Sequence, residues 1–406
     1  MAAAPSQFPP GLLRRSNAAR LAYFTRYTMG HAQLQAALST VVRALGQPAD
    51  TFTPVVLVIG PAGVGKTTLL HAVSREVTRQ VRPTLAADPG RLPCVCLVTD
   101  VPASGSFSWK EYCHSALVAM HEPLIERKVP LPEGAPPRLD GAHLLLGQRG
   151  SEALLRRALV QAAKHRAPTA FLVDEAQHAA LIVGGRKLQQ QMDYIKRLAD
   201  ATGVPHVLFG NYGLCLLRNL SGQLGRRTED VHFRRYDAAR PQDVADFRDV
   251  VLSFQCHLPL PTQPDLLTDW EYLYLRSVGC VGLLKGWLKR ALARALEEGA
   301  PTVTPAVLRR AAPPPSKSTQ VLKEALEGEA QLAELDEDAD LRGAEADLRR
   351  LLRLGAGSAQ GVTATVPSPA AELPRPPRVR RAVGVRAATR DPVRGSASHD
   401  AEGRAG

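Results

Sequence analysis

The chain has 406 residues, of which 45% are hydrophobic and 22% are charged. This length allows two or three domains, and no apolar run approaches the roughly 20 residues that span a bilayer. The first residues lack the basic start and apolar core of a secretory signal, so we expect a cytoplasmic bacterial protein without a membrane segment. The formal net charge of +12 suits a polyanionic partner, either nucleic acid or an anionic membrane surface.

The six cysteines are scattered along the chain, at positions 94, 96, 113, 215, 256 and 280. Cys94 and Cys96 are two residues apart within a strand pattern, and no second pair completes a zinc site. We therefore expect reduced thiols in the core.

Residues 1–50 are predicted to be mainly helical. Apolar residues recur at three- and four-residue spacing in LAYFTRYTMG and in AQLQAALSTVVRALG. Because these helices lead directly into the next motif, we expect them to form a lid or a partner-contacting face beside a base pocket.

The stretch PVVLVIGPAGVGKTTLL, residues 54–70, predicts a buried strand, a glycine-rich turn and a helix that begins near Lys66. The turn fits the pattern G-x-x-x-x-G-K-[ST] of a nucleotide phosphate loop. Its glycines let backbone N–H groups converge on phosphate oxygens, and the helix N-terminus favours the same anion. Lys66 is expected at the β- and γ-phosphates, Thr67 at Mg²⁺ and Thr68 near the α-phosphate. The predicted nucleotide contacts are Gly60, Pro61, Ala62, Gly63, Val64, Gly65, Lys66, Thr67 and Thr68.

Residues 92–99 are predicted to form a second buried strand, followed by a loop and a helix that begins near Ser108. Trp109, Lys110 and Tyr112 at this helix start could face a nucleic acid. An ordinary helix start with Trp109 packed against the core explains the same pattern. A Pro- and Gly-rich connection over 130–137 precedes a helix over about 151–165.

The segment TAFLVDEAQHAAL predicts a strand over 170–173 that ends in Asp174 and Glu175. An acid at this position supports Mg²⁺, and the adjacent glutamate polarises the attacking water. We therefore assign Asp174 to the metal and Glu175 to the catalytic base.

The next strand, HVLFGNYG, ends in Asn211, which either orients the lytic water or is a plain turn residue. Arg226 and Arg227 follow and precede a last strand predicted over 231–236. One of this pair is expected to reach a neighbouring subunit's γ-phosphate, although a surface arginine is the usual alternative. Arg234 and Arg235 are expected to face solvent or a partner.

From Pro241 the pattern changes to short helices that predict a small lid. Lys285 lies in the third of these helices and either faces the nucleotide or is simply solvated. Residues 313–316 are expected to end the folded part. An acidic segment over 324–354 is expected to form a helix or a short coiled coil, and the tail beyond Gly355 to be disordered. The arginines of that tail either bind nucleic acid without specificity or only solubilise the chain.

The order of these parts resembles the plan of AAA+ ATPases: a P-loop NTPase with an α/β fold, a parallel sheet flanked by helices, a helical lid and here a disordered tail. This resemblance implies that another strand separates the phosphate-loop strand from the strand that ends in Asp174 and Glu175. The strings LVIGPAGVGKTTLL, SGSFSWKEY, LVDEAQHA, LFGNYGL, SGQLGRR and GCVGLLKGWLKRAL, within about residues 20–312, resemble the TnsC/TniB family of transposition regulators. The expected division is a helical segment over 1–50, the AAA+ domain over 51–238, the lid over 239–312, an acidic extension over 313–354 and a basic tail over 355–406.

This resemblance implies an ATPase that uses ATP and Mg²⁺ and assembles into a hexameric ring or a helical filament around duplex DNA. It also implies partners, namely a DDE transposase and a TniQ-like target selector, in some systems with a CRISPR effector. By this resemblance, Asn211 occupies the position of the first sensor. Arg226 or Arg227 corresponds to the arginine finger. Lys285 occupies the position of the second sensor, where an arginine is more usual. Lys110 and Lys128 are the expected DNA contacts.

The alternatives from other classes are a helicase loader, a related ATPase of secretion or cell-wall systems, and a nucleotide-gated signalling scaffold. A helicase loader would prefer single-stranded DNA, whereas a scaffold would need no DNA.

Overall fold

The computed structural model describes residues 7–47, 53–99, 107–125, 151–180, 185–215 and 228–336. All of these residues belong to one compact unit. None of the described helices is both long enough and apolar enough to cross a membrane.

The described strands form one parallel sheet in the order β2-β3-β4-β1-β5. The strands are β1 (Val55–Ile59), β2 (Cys94–Val98), β3 (Ala170–Asp174), β4 (His206–Gly210) and β5 (Thr228–His232). The register aligns Ile59 with Gly210 and His232, and Val98 with Asp174, so the carboxyl ends of the strands meet at one edge. This order confirms the prediction that another strand, β4, separates the phosphate-loop strand from the strand that ends in Asp174.

Helices cover both faces of the sheet. They are α1 (Asn17–Arg26), α2 (Ala32–Leu45), α3 (Lys66–Ala87), α4 (Trp109–Ala119), α5 (Ser151–Arg166) and α6 (Gly185–Thr202). Val56 and Val58 of β1 pack with α2 and α3, whereas Val55, Leu57 and Ile59 join the cluster of α4, α5 and α6. Alternation along a strand directs successive side chains to opposite faces, which is why β1 is apolar at every position.

The two outer strands differ from their predictions. β2 was expected to be buried, but Val98 is 64% exposed and Cys96 is exposed, because an edge strand packs fully on one face only. β5 begins at Thr228, three residues before the predicted start. Phe233 and Tyr236, the apolar residues that suggested the later strand, follow β5. Phe233 is buried against β1, α2 and α3, and Tyr236 is buried among the helices that follow β5.

The lid consists of α7 (Pro241–Cys256), α8 (Trp270–Ser277), α9 (Val281–Glu297) and α10 (Pro305–Arg310). It has its own core, in which the buried Trp287 donates its indole N–H to the Leu308 carbonyl at 2.9 Å. Phe24 of α1 packs in this lid core, whereas α2 packs on the sheet. The two N-terminal helices therefore belong to different cores.

A further helix, α11 (Pro315–Asp336), continues the fold, so the prediction that folding ends at residues 313–316 is wrong. Although the helix is acidic overall, one of its faces is buried, at positions 318, 321, 325, 328 and 332. The predicted tail over 355–406 lies outside the described residues, as do residues 337–354.

Candidate nucleotide-binding site

The phosphate loop connects β1 to α3 at the carboxyl edge of the sheet. Gly65 directly precedes α3 with φ +119°, and Gly63 has φ +76°; both values favour glycine. A Cβ atom at Gly63 would also overlap the Leu283 side chain of the lid. The loop therefore requires glycine both for its conformation and for close approach of α9.

Lys66, the first residue of α3, is almost fully buried at the loop. Its Nζ donates to the carbonyl oxygens of Gly60 at 2.9 Å and of Pro61 at 3.0 Å. Burial lowers the pKa of Lys66, and the carboxylates of Glu175, Glu324 and Asp174 oppose that shift. The ammonium group is thus held in the loop where it can exchange two carbonyl contacts for phosphate oxygens.

Thr67 and the end of β3 meet at a point where oxygen ligands converge. Thr67 Oγ1 donates to Asp174 Oδ2 at 2.7 Å, and the backbone N–H of Glu175 donates to Asp174 Oδ1 at 2.9 Å. Hydroxyl and carboxylate oxygens are ligands that Mg²⁺ prefers, so the residues present fit this ion, which Thr67 and Asp174 would hold. When bound, Mg²⁺ supplies positive charge that neutralises the phosphates.

Glu175 has φ +53°, a strained backbone conformation for a residue other than glycine. Gln177 donates from Nε2 to Glu175 Oε2 at 2.5 Å and accepts from the Asn211 N–H at 3.2 Å. Gln177 thereby connects the predicted base to the tip of β4. Sequence reasoning gave it no role, although it belongs to the DEAQ string.

Asn211 uses its side-chain oxygen locally, because Oδ1 accepts the Gly213 N–H at 2.9 Å and caps a short 3-10 helix over 212–214. This contact matches the turn-residue alternative. The sensor role of Asn211 stays a prediction, and it would use the amide nitrogen of the side chain.

The lid closes directly on the phosphate loop. Leu283 N–H donates to the Gly63 carbonyl at 3.1 Å, and Gly282 leaves no room for a side chain against the same oxygen. Lys285 donates from Nζ to the Thr25 carbonyl at 2.9 Å and lines a cavity with Thr68. Burial lowers the pKa of Lys285, with a smaller effect in the same direction from Lys289.

The cavity between lid and loop has a volume of about 40 Å³, enough for only a few water molecules. Its lining combines α1–α2 residues with the loop and the lid: Tyr27, Thr28, Met29, His31, Leu34, Val64, Gly65, Thr68, Phe254, Val281, Gly282 and Lys285. A neighbouring cavity of about 290 Å³ shares Thr28, Met29, Leu34 and Thr68 with it. The sensor role of Lys285 stays a prediction.

Arg234 and Arg235 were both expected to face solvent or a partner. Arg234 donates to Asp243 at 3.0 Å, and its side chain stays 28% exposed. The expectation for Arg235 is wrong, because Arg235 is 8% exposed and bonded twice to Glu329, at 2.9 and 3.0 Å. Local sequence could not show this burial, because Glu329 lies 94 residues further along the chain. Arg226, Arg227 and Lys128 lie outside the described residues.

The aromatic residues at the start of α4 belong to the core. The Trp109 ring stacks on Tyr194 with centroids 4.1 Å apart, and Tyr112 is also buried. The possibility that these rings face a nucleic acid is therefore wrong. Ser108 caps the helix by accepting the Glu111 N–H, as the predicted start requires. Lys110, which lies between Trp109 and Tyr112 in the sequence, is partly exposed and stays a predicted DNA contact.

Residues 53–217 match the family model described as an AAA domain. This match spans β1, the phosphate loop, Asp174, Glu175 and Asn211. The fold is that of AAA+ P-loop NTPases.

Three solved structures are among those similar to this chain. The ORC2 protein of Aeropyrum pernix, in ADPNP–ADP complexes, has 16% identity and a TM-score of 0.42 over 70% of this chain and 65% of that one. A Walker-type ATPase of Pyrococcus abyssi has 18% identity and a TM-score of 0.42, with 75% and 76% covered. Drosophila ORC bound to DNA has 15% identity and a TM-score of 0.37, with 72% and 67% covered. The chain thus spans less than two thirds of the first of these proteins, and no curated protein matches it.

Proposed function

We propose that this protein is an ATP-dependent regulator of DNA transposition. It assembles on duplex target DNA as a hexameric ring or helical filament and links a TniQ-like target selector to a DDE transposase, and hydrolysis drives its disassembly. The observation that carries the ATPase part is the convergence of Lys66, Thr67, Asp174 and Glu175 at one sheet edge. The transposition part rests on the resemblance to the TnsC/TniB family.

In this proposal each side chain at this edge of the sheet has a separate role in ATP hydrolysis. Lys66 moves from the Gly60 and Pro61 carbonyls to the β- and γ-phosphates. Glu175 accepts a proton from the attacking water, and the Gln177 amide holds its carboxylate at 2.5 Å in position. This arrangement supports phosphoryl transfer to water, in which the protein acts mainly by positioning and charge stabilisation.

Assembly makes the site complete in this proposal. Arg226 or Arg227 of one subunit crosses to the γ-phosphate of the next and stabilises the charge of the transition state. Hydrolysis then depends on oligomerisation, and the loss of the γ-phosphate weakens the contact between subunits. This dependence suits a regulator that marks a site on DNA and later leaves it.

Duplex DNA would be held by its phosphates. The net charge of +12 provides the attraction, and Lys110 and Lys128 are the proposed contacts. Phosphate contacts carry no direct sequence information, so binding should be sensitive to salt and nearly indifferent to sequence.

Electron microscopy of the purified full chain with duplex DNA tests this proposal, with and without a slowly hydrolysed ATP analogue. Rings or filaments that form on duplex DNA only with the analogue would support it. Particles that prefer single-stranded DNA would favour a helicase loader, and particles that ignore all DNA would favour a nucleotide-gated scaffold. Either result would refute the transposition assignment and leave the ATPase assignment intact.

A further inference from the structure

Helix α11 lies against the edge of the sheet that carries the site. Its buried residues include Val321, Ala325 and Leu332, and Leu332 belongs to the same apolar cluster as Tyr212. Gly328 contacts Tyr212 so closely that a Cβ atom would overlap the ring. Because Tyr212 directly follows Asn211, α11 is packed on the predicted sensor loop.

Two polar contacts fix α11 to neighbouring elements. Near its start, Ser318 Oγ donates to the Arg276 carbonyl at 2.8 Å. Three turns later, both carboxylate oxygens of Glu329 accept from Arg235, which is buried and also donates to the Tyr274 hydroxyl at 3.3 Å. A paired and largely buried arginine is costly to leave without its carboxylate, so this contact holds the helix in place.

Glu324 lies on α11 between these two contacts. Its carboxylate is among the charges that act on Lys66, together with Glu175 and Asp174. Its Oε1 atom is buried and has no hydrogen-bond partner within the described part of the chain. A carboxylate in this position is an anion within electrostatic reach of the ammonium group that must bind a phosphate.

We propose that α11 is an inhibitory helix, which docks with Glu324 beside Lys66 and opposes the γ-phosphate of an incoming nucleoside triphosphate. This inference rests on the proposed nucleotide-binding function. The contact between Glu329 and Arg235 keeps the helix docked, and binding of the triphosphate displaces it. Coupling of this kind is reciprocal: if docking weakens triphosphate binding by some factor, the triphosphate weakens docking by the same factor. ADP lacks the γ-phosphate and is affected less.

The test compares full-chain variants in which one carboxylate becomes an amide. Glu324→Gln removes the opposing charge, and Glu329→Gln weakens the attachment of the helix. Glu327→Gln is the matched control, because Glu327 is exposed on the same helix and pairs with the exposed Lys323, at 3.8 Å. Titration with a fluorescent, slowly hydrolysed ATP analogue and with fluorescent ADP gives the two affinities.

We expect Glu324→Gln and Glu329→Gln each to bind the ATP analogue about tenfold more tightly than the wild type, within the range of about 5- to 150-fold that is typical of coupled sites. ADP affinity should change less, and Glu327→Gln should match the wild type. Unchanged or weaker affinity for the analogue in both variants would overturn the inhibitory role. If neither the wild type nor any variant binds nucleotide, the proposed ATPase function falls as well.

Hydrogen exchange of the unmodified protein gives a second test that does not depend on a variant folding. The ATP analogue should reduce the protection of amides over 315–333, whereas ADP should leave that protection close to its value without nucleotide. Equal protection with and without the analogue, at saturating concentration, would show that α11 and the triphosphate do not compete.

Discussion

His206, the first residue of β4, offers a quantitative test of the core that supports the site. Its ring is fully buried and stacks on Phe171 with centroids 4.7 Å apart. Neither ring nitrogen has a hydrogen-bond partner among the residues that the structure describes. Burial lowers the pKa of His206 to about 4 from 6.5, and the nearby Val204 backbone opposes this shift.

The direction in which stability changes with pH follows from the difference between the pKa of His206 in the folded protein, about 4, and its ordinary value of 6.5. Between about pH 4 and 6.5 the unfolded chain binds a proton at His206 that the folded protein does not bind, so stability falls as the pH falls through this range. With these two pKa values the contribution is about 2 kcal/mol of lost stability at pH 5.0 and less than about 0.1 kcal/mol at pH 7.5.

His206→Phe should remove this dependence, because phenylalanine keeps a ring against Phe171 and cannot be protonated. The free energy of unfolding, measured by chemical denaturation at pH 7.5 and pH 5.0, should shift in favour of the variant by about 2 kcal/mol on going to the lower pH. His114→Gln, at an exposed position on α4, is the control and should show no such shift. A variant that differs from the wild type equally at both pH values would refute the reasoning.

Four further predictions concern the proposed function. Lys66→Ala should abolish nucleotide-dependent DNA binding, and filaments like those of the wild type in electron microscopy would contradict the scheme. Glu175→Gln should bind ATP, turn over slowly and persist on DNA; rapid phosphate release would exclude Glu175 as the base. Gln177→Ala should lower the ATPase rate about 10- to 150-fold, the equivalent of one charge-assisted hydrogen bond of about 1.5–3 kcal/mol, with ATP affinity unchanged in a binding titration. Lys110→Ala should weaken duplex binding for all sequences and reduce the slope of log affinity against log salt by about 1; an unchanged slope would remove Lys110 from the interface.

The parts of the fold that could be predicted from sequence are those whose signals are local. An apolar run followed by GPAGVGKTT specifies strand, turn and helix within about fifteen residues, and LVDEAQ specifies a strand end. The presence of a strand between the phosphate-loop strand and the strand that ends in Asp174 could be predicted because these motifs together resemble the AAA+ plan. The geometry between Thr67 and Asp174 then followed from that order, since both residues lie at the carboxyl edge of a parallel sheet.

The failed predictions all depend on contacts between distant parts of the chain. Arg235 looks like a surface arginine until Glu329 is known to lie beside it, and Trp109 looks accessible until Tyr194 covers it. The acidic α11 resembles a solvated segment because its buried positions include serine, alanine and glycine, which carry little hydrophobic signal. Such contacts depend on how elements pack, which spacing along the sequence does not record.

The N-terminal helices have a consequence for how the protein senses nucleotide. Phe24 packs in the lid core and Leu34 in the apolar cluster on the sheet, so the short connection over 27–31 joins these two cores. That connection also forms one wall of the cavity beside the phosphate loop. If the lid rotates outward, it must therefore pull on this wall, and a base held against the wall would restrain the lid in turn. We expect the segment before the phosphate loop to act as a mechanical linkage, through which occupancy of the base pocket and the angle of the lid set each other.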